Sequence, residues 1–279
     1  MTSAALVDEW KGVARLWHDL ADVDKRALLD DFALGYCYHS GKIENDAITL
    51  HDTREYFERG AVVSYTGDVR TLFEIANLKT SWEWARELAK PGLVVDEALV
   101  LEAHALLCRG TYDETRWARG ERPGTYKVFD YGVGVDGAVG YPPDAVEDAV
   151  QALLAEVRGA GGSDANAFAA AAWLHARLVE IHPFADGNGR TARLLMNALL
   201  LSADLPPLCI REEDRMAYYG ALDALHLDDD FEPFLEFCRA ETLEVWPQRL
   251  ARLQQPSLAP KDEESDGRQV HRGVPRRGL

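Results

Sequence analysis

The sequence predicts an all-α fold, and three observations carry that expectation. Apolar residues recur at three- and four-residue spacing along most of the 279-residue chain, the period of helices with one buried face. Punctuation at Pro91-Gly92, Gly110, the glycine-rich run 159–162 and Pro206-Pro207 cuts this pattern into pieces of helical length. Before the tail that starts at Gln255, residues 124–141 are the exception. With 47% apolar residues, the chain can fill a sizeable core.

Taken in order, the first helix is expected over residues 24–44. Asp52-Thr53-Arg54-Glu55 has the form of a capping box and opens the next one. A third covers 73–88, and Leu99, Val100, Ala103, Leu106 and Leu107 mark a fourth that stops near Gly110. Thr125-Tyr126-Lys127-Val128-Phe129 is strand-like. With Gly132 to Gly137 it predicts a small β-hairpin turning at Asp136-Gly137. Pro142-Pro143 starts a helix running to about 157, since proline suits a first helical turn. Ser163 or Asp164 caps a very apolar helix over 165–181. Its core face carries Phe168, Ala171, Ala172, Leu178 and Val179, and His175 lies on the same apolar stripe. Helices at 190–201, 213–227 and 231–246 follow. From Gln255 the chain is rich in proline, serine, glycine and charge, a composition that predicts disorder over 255–279.

The net charge of −17 argues against nucleic acid or an anionic membrane as partner. No run approaches the ~20 apolar residues of a spanning helix. Asp8, Glu9 and Lys11 leave no room for a signal-peptide core. Cys37, Cys108, Cys209 and Cys238 lack paired spacing and read as reduced thiols, with no zinc site expected. A cytoplasmic location follows as an expectation.

The densest chemistry lies in His182-Pro183-Phe184-Ala185-Asp186-Gly187-Asn188-Gly189-Arg190-Thr191-Ala192-Arg193. Gly187 and Gly189 allow a tight turn and close backbone approach. The turn opens onto a helix whose N-terminal amides and dipole suit phosphate oxygens. Arg190 and Arg193, three apart, share a face of that helix. Ala192, Leu195, Met196, Leu199 and Leu200 form another, apolar stripe. Histidine titrates near neutrality, so His182 is a candidate proton acceptor. Asp186 supplies the hard oxygen that Mg²⁺ prefers, in a site where phosphate oxygens complete the shell.

This segment resembles the signature of the Fic family: His, any residue, Phe, any residue, an acid, Gly-Asn-Gly-Arg, and a second Arg three residues on. Every fixed position is filled. The resemblance implies a Fic-type helical bundle that transfers AMP from ATP to a protein hydroxyl and releases pyrophosphate. It implies His182 as general base, Asp186 as Mg²⁺ ligand, and Gly187, Asn188 and Gly189 around the α-phosphate. Arg190 and Arg193 would then hold the β- and γ-phosphates. It divides the chain into an N-terminal helical region (1–110), a catalytic core (111–250) and the tail.

Ser40-Gly41-Lys42-Ile43-Glu44-Asn45 is similar to the inhibitory motif of the same family's class II members. Ser40 and Glu44 fall on one helix face. The resemblance implies that Glu44 pairs with Arg193, Ser40 and Asn45 completing the motif. The expected hairpin corresponds to the family's flap, with Val135, Asp136, Gly137 and Ala138 near nucleotide and target; a target segment would add there as a strand. Tyr218 and Tyr219 match a tyrosine pair bordering the nucleotide, while Leu225-His226-Leu227-Asp228 departs from the family's usual base-contact pattern. Implied partners are a target protein with a Ser, Thr or Tyr hydroxyl, with self-modification and a homodimer both compatible. The alternatives are removal of AMP, transfer of another phosphate-containing group, or nucleotide sensing without turnover. Intact Gly187 and Gly189 favour AMP over the other groups.

Overall fold

The computed structural model describes residues 2–131, 139–158 and 162–254. Among these residues there are eleven α-helices and no run of β-strand. They are α1 (Ser3–His18), α2 (Asp22–Lys42), α3 (Leu50–Arg59), α4 (Val69–Leu88), α5 (Glu97–Leu107) and α6 (Glu114–Ala118). The second half holds α7 (Pro143–Arg158), α8 (Asp164–Ile181), α9 (Asn188–Ser202), α10 (Arg215–Asp228) and α11 (Glu232–Gln254). None is long and apolar enough to cross a membrane. The all-α expectation holds.

The bundle is organised around α9. Its residues 190–198 are buried on every side, arginines included, with α8, α4, α5 and α2 packed against it. One apolar cluster joins Phe32, Trp82, Leu107 and Leu178 to Leu195; a second joins Trp10, Phe168 and Phe234 to Met196. Burying four or five such side chains on each flank fixes the helix that must present the loop, at roughly 1.5–3 kcal/mol per large side chain.

Several local expectations are corrected. Helix α3 begins before Asp52: Thr49 is the N-cap, accepting from the Asp52 amide at 3.0 Å and donating to its carboxylate at 2.6 Å. The capping pair is therefore Thr49 with Asp52, not Asp52 with Glu55. Helix α1 was not anticipated; it buries Trp10 and Trp17, the latter edge-on to Trp246 at 4.9 Å. Helix α11 continues through Pro247 to Gln254, because Leu250 is buried beyond it.

Residues 124–131 and 139–141 do not form strands of a regular hairpin. Their amides instead bond the chain around His182: Lys127 donates to the Pro183 carbonyl and Tyr141 to the Ile181 carbonyl, both at 2.9 Å. The strand-like alternation thus serves pairing with a loop. Val135, Asp136, Gly137 and Ala138 lie outside the described residues, as does the tail 255–279.

Candidate functional site

The site is built where α8 ends and α9 begins. Ser163 caps the start of α8, and His182 closes its end in the left-handed conformation, φ 52° and ψ 58°. The chain then crosses to Gly187, also left-handed at φ 80°, which is the N-cap of α9. Two reversals within six residues bring both helix ends together.

Asn188 fixes the loop between them. Its side-chain oxygen accepts from the Phe184 amide at 2.9 Å and its NH₂ donates to the Phe184 carbonyl at 2.8 Å. Both ends of the amide are therefore spent on loop shape, leaving the Asn188 backbone at the helix N-terminus. Phe184 is fully buried and stacks on His104 at 3.7 Å with an interplanar angle of 5°. His104 Nδ1 accepts from the Gly124 amide at 2.8 Å, which assigns its proton to Nε2, 3.0 Å from the Asp186 carbonyl. Burial lowers the His104 pKa to about 3, so the ring is neutral, as that pairing requires.

Gly187 is required by two independent constraints. A Cβ there would lie 2.5 Å from Cys108 Sγ, on a backbone that L-residues rarely adopt. Gly187→Ala is expected to destabilise the protein by about 2–5 kcal/mol, from ~1–2 of left-handed backbone and ~1–3 of overpacking. A lower urea midpoint at unchanged m-value measures it.

Asp186 faces three arginines. Arg190 lies 3.0 Å from Oδ1, Arg70 2.6 Å from Oδ2, and Arg116 3.8 Å from the same Oδ2. Burial alone would raise its pKa, but Arg190, Arg70 and Arg116 outweigh burial and hold it below the usual carboxylate value. The group is ionised. Arg190 is 2% exposed and also approaches Glu74, a buried carboxylate, at 3.5 Å.

Arg193, 1% exposed, is the second buried cation. It donates from Nε to Ser40 Oγ and from one terminal nitrogen to the Ser40 carbonyl, each at 3.0 Å, and reaches Glu44 Oε1 at 2.7 Å. Its other terminal nitrogen is buried without a partner. Glu44 leans across the α9 terminus so closely that a Cβ on Gly189 would sit 2.4 Å from its oxygen. Asn45 points elsewhere, donating to Glu74 at 2.6 Å and to Thr71 at 3.2 Å, which ties the turn after α2 to α4. Tyr218 is buried, its hydroxyl 3.2 Å from His175 Nε2. Tyr219 packs on Tyr218 at 5.2 Å between ring centres and is 39% exposed. The His182 pKa is lowered to about 4, mainly by burial and then by Lys127, while the Val179 carbonyl acts in the opposite sense. At neutral pH the ring is an uncharged proton acceptor.

The structure thus gathers His182, Asp186, Gly187, Gly189, Arg190, Arg193, Ser40, Glu44 and Tyr218 around one helix terminus. Sequence reading missed Arg70, Glu74, His104 and Arg116. Arg70 and Glu74 carry a visible i, i+4 charge pairing, but nothing local tells that Asp186 completes it. The donor set at Asp186 fits Mg²⁺: one ionised, partly exposed carboxylate beside a helix N-terminus, the minimal protein share such a cation takes.

An all-α bundle that brings a neutral histidine, an ionised aspartate and two buried arginines to one helix N-terminus defines a helical class built on α8, the loop and α9. Residues 94–200 match the Fic/DOC family. A protein adenylyltransferase Fic of Drosophila persimilis is 30% identical over 82% of this chain and 43% of its own length. The chain spans about half the length of the curated relatives it matches. A Fic-domain signalling protein of Bacteroides thetaiotaomicron superposes with a TM-score of 0.77 at 21% identity, covering 89% of this chain and 97% of that one. Fic-1 of C. elegans superposes at 0.70 and 22%, over 90% and 74% respectively. The chain belongs to the Fic family.

Proposed function

We propose that the chain is a protein adenylyltransferase that moves AMP from ATP to a hydroxyl of a target protein and is restrained by Glu44. One observation carries the reading: a neutral histidine stands on the same short loop as an anion cradle with two buried arginines. A binding module needs the cradle but not the base. Family membership and adenylyltransferase relatives at about 30% identity support it.

In this reading the target hydroxyl oxygen attacks the α-phosphorus, the bond to the bridging oxygen of the β-phosphate breaks, and pyrophosphate leaves. The hydroxyl proton passes to the free ring nitrogen of His182. The Asn188 and Gly189 amides and the α9 dipole receive α-phosphate oxygens. Arg190 lies on the β side, and Arg193 takes the γ-phosphate once Glu44 withdraws. Positioning and charge neutralisation do most of the work in such a transfer. Mg²⁺ on Asp186 would neutralise polyphosphate charge. Residues 1–110 supply the restraint and 111–250 the transfer machinery; Tyr219 borders the nucleotide, and the segment 124–141 receives the target.

The deciding experiment supplies ATP labelled at α or at γ, with Mg²⁺, to wild type and Glu44→Gly. Protein label from α and not from γ is expected; label from γ identifies phosphate transfer and overturns the reading. The depressed His182 pKa sets a pH dependence as well. Its base form is present above about 4 and is lost as pH falls through that value. The kcat/KM for transfer, which reports the free enzyme, is expected to stay level from about pH 8 to 6. A fall through the ordinary histidine pKa of roughly 6.5 would show that the His182 ring is not depressed in the free enzyme, and the His182 substitutions then decide whether it is the base.

A further inference from the structure

One carboxylate oxygen of Asp186 is already taken by a residue outside the signature. Arg70, on α4, places a terminal nitrogen 2.6 Å from Asp186 Oδ2 and its Nε 3.1 Å from Glu74 Oε1. Its side chain is 37% exposed, whereas Arg190, on Oδ1, is 2% exposed. Arg190 is therefore a fixed part of the cradle, and Arg70 is a displaceable one. A divalent cation on Asp186 would need a carboxylate oxygen, and Oδ2 is the one held by the more exposed arginine.

We propose that Arg70 is the cation-gating residue of this site: it occupies Asp186 Oδ2 until a metal–nucleotide complex displaces it, and so sets the threshold for metal loading. The inference rests on the adenylyltransferase reading for its nucleotide. Displacement does not leave Arg70 free in solvent, because Glu74 keeps hold of its Nε. Glu74 is 3% exposed and also accepts from Asn45 Nδ2 at 2.6 Å. The same buried carboxylate therefore anchors both the gate and the turn that carries Glu44. Arg116 is the natural comparison: it stands 3.8 Å from Oδ2 and is held at 3.1 Å by Asp113. It adds positive charge nearby without occupying the oxygen.

The test is binding, not turnover. The full chain is titrated with Mn²⁺ at fixed ADP, following free Mn²⁺ by its electron paramagnetic resonance signal, in wild type, Arg70→Met and Arg116→Met. Methionine keeps the stem's packing and removes the fork. Arg70→Met is expected to bind Mn²⁺–ADP about two- to fivefold more tightly, the upper part of the range of a partly exposed pair expressed as affinity. Arg116→Met should shift affinity by less than half as much on a logarithmic scale. Equal shifts would mean diffuse charge repulsion and overturn the gate. Unchanged or weaker binding in Arg70→Met would make Arg70 a nucleotide ligand or a structural tie, and also overturns it. Failure of every form to bind Mn²⁺–ADP would overturn the nucleotide reading with it, so the two failures are distinct. Thermal unfolding of each variant confirms that a folded chain is compared.

Discussion

Replacing His182 by alanine is expected to lower AMP transfer by about 10²–10⁴-fold, the usual worth of a positioned base, with nucleotide affinity nearly unchanged. His182 stands at the rim and makes no part of the cradle, whose contacts come from α9 and from Asp186. In kinetic terms the loss falls on kcat, because the missing interaction exists only in the transition state. Alanine also has to adopt the left-handed backbone found at φ 52°. His182→Asn is the better-matched variant, since asparagine tolerates that region. Both should show the same loss in label incorporation from α-labelled ATP, with ADP binding followed calorimetrically as the control. Transfer retained in His182→Asn would show that the proton goes elsewhere.

Glu44→Gly is expected to raise transfer, including self-modification, by at least about tenfold while tightening ATP binding far less. The 2.7 Å pair with Arg193 and the approach of Glu44 over Gly189 put a carboxylate where, in the proposed reaction, the outer phosphate would go. ATP can still bind in a nonproductive pose, so the restraint acts on the share of bound nucleotide that is competent. A competent state held at 0.1–10% leaves that much room for a gain. Losing Glu44 does not strand Arg193, which keeps both bonds to Ser40. Arg193→Ala in the Glu44→Gly background should then cancel most of the gain. Arg193→Lys should recover only part of it, because an ammonium lacks the bidentate fork. If Glu44→Gly is no more active than wild type across several targets and in self-modification, the Ser40–Asn45 segment is only the end of a helix.

What the sequence disclosed and what it hid follow a physical division. The helices on either side of the loop were legible because α8 and α9 carry long apolar runs punctuated by glycine and proline. The signature was legible because one loop and one helix turn hold His182, Asp186 and both arginines within twelve positions. Arg70, Glu74 and Arg116 were not, since their meaning depends on a carboxylate more than a hundred residues from Arg70 along the chain. His104 was hidden for a related reason: a buried neutral histidine stacked on Phe184 has no local pattern to set it apart from a core residue. The strand-like arm at 125–129 misled because alternation reports only that an extended backbone finds partners. Here one partner is Pro183, in the loop it braces. Asn188 differs again: its position was expected, yet its side chain is committed to Phe184.

Helix α9 is enclosed on all sides, and its arginines are as deeply covered as its leucines. In a saturation screen scored by growth or by activity alone, residues 190–198 would form one unbroken intolerant block. Nothing in that block would separate a lost phosphate contact from a lost fold. Positions beside the helix, His182, Asp186 and Glu44, are open enough for abundance and activity to part company. A screen that reads protein level and label transfer side by side would find the chemistry at those positions, and the architecture along the helix itself.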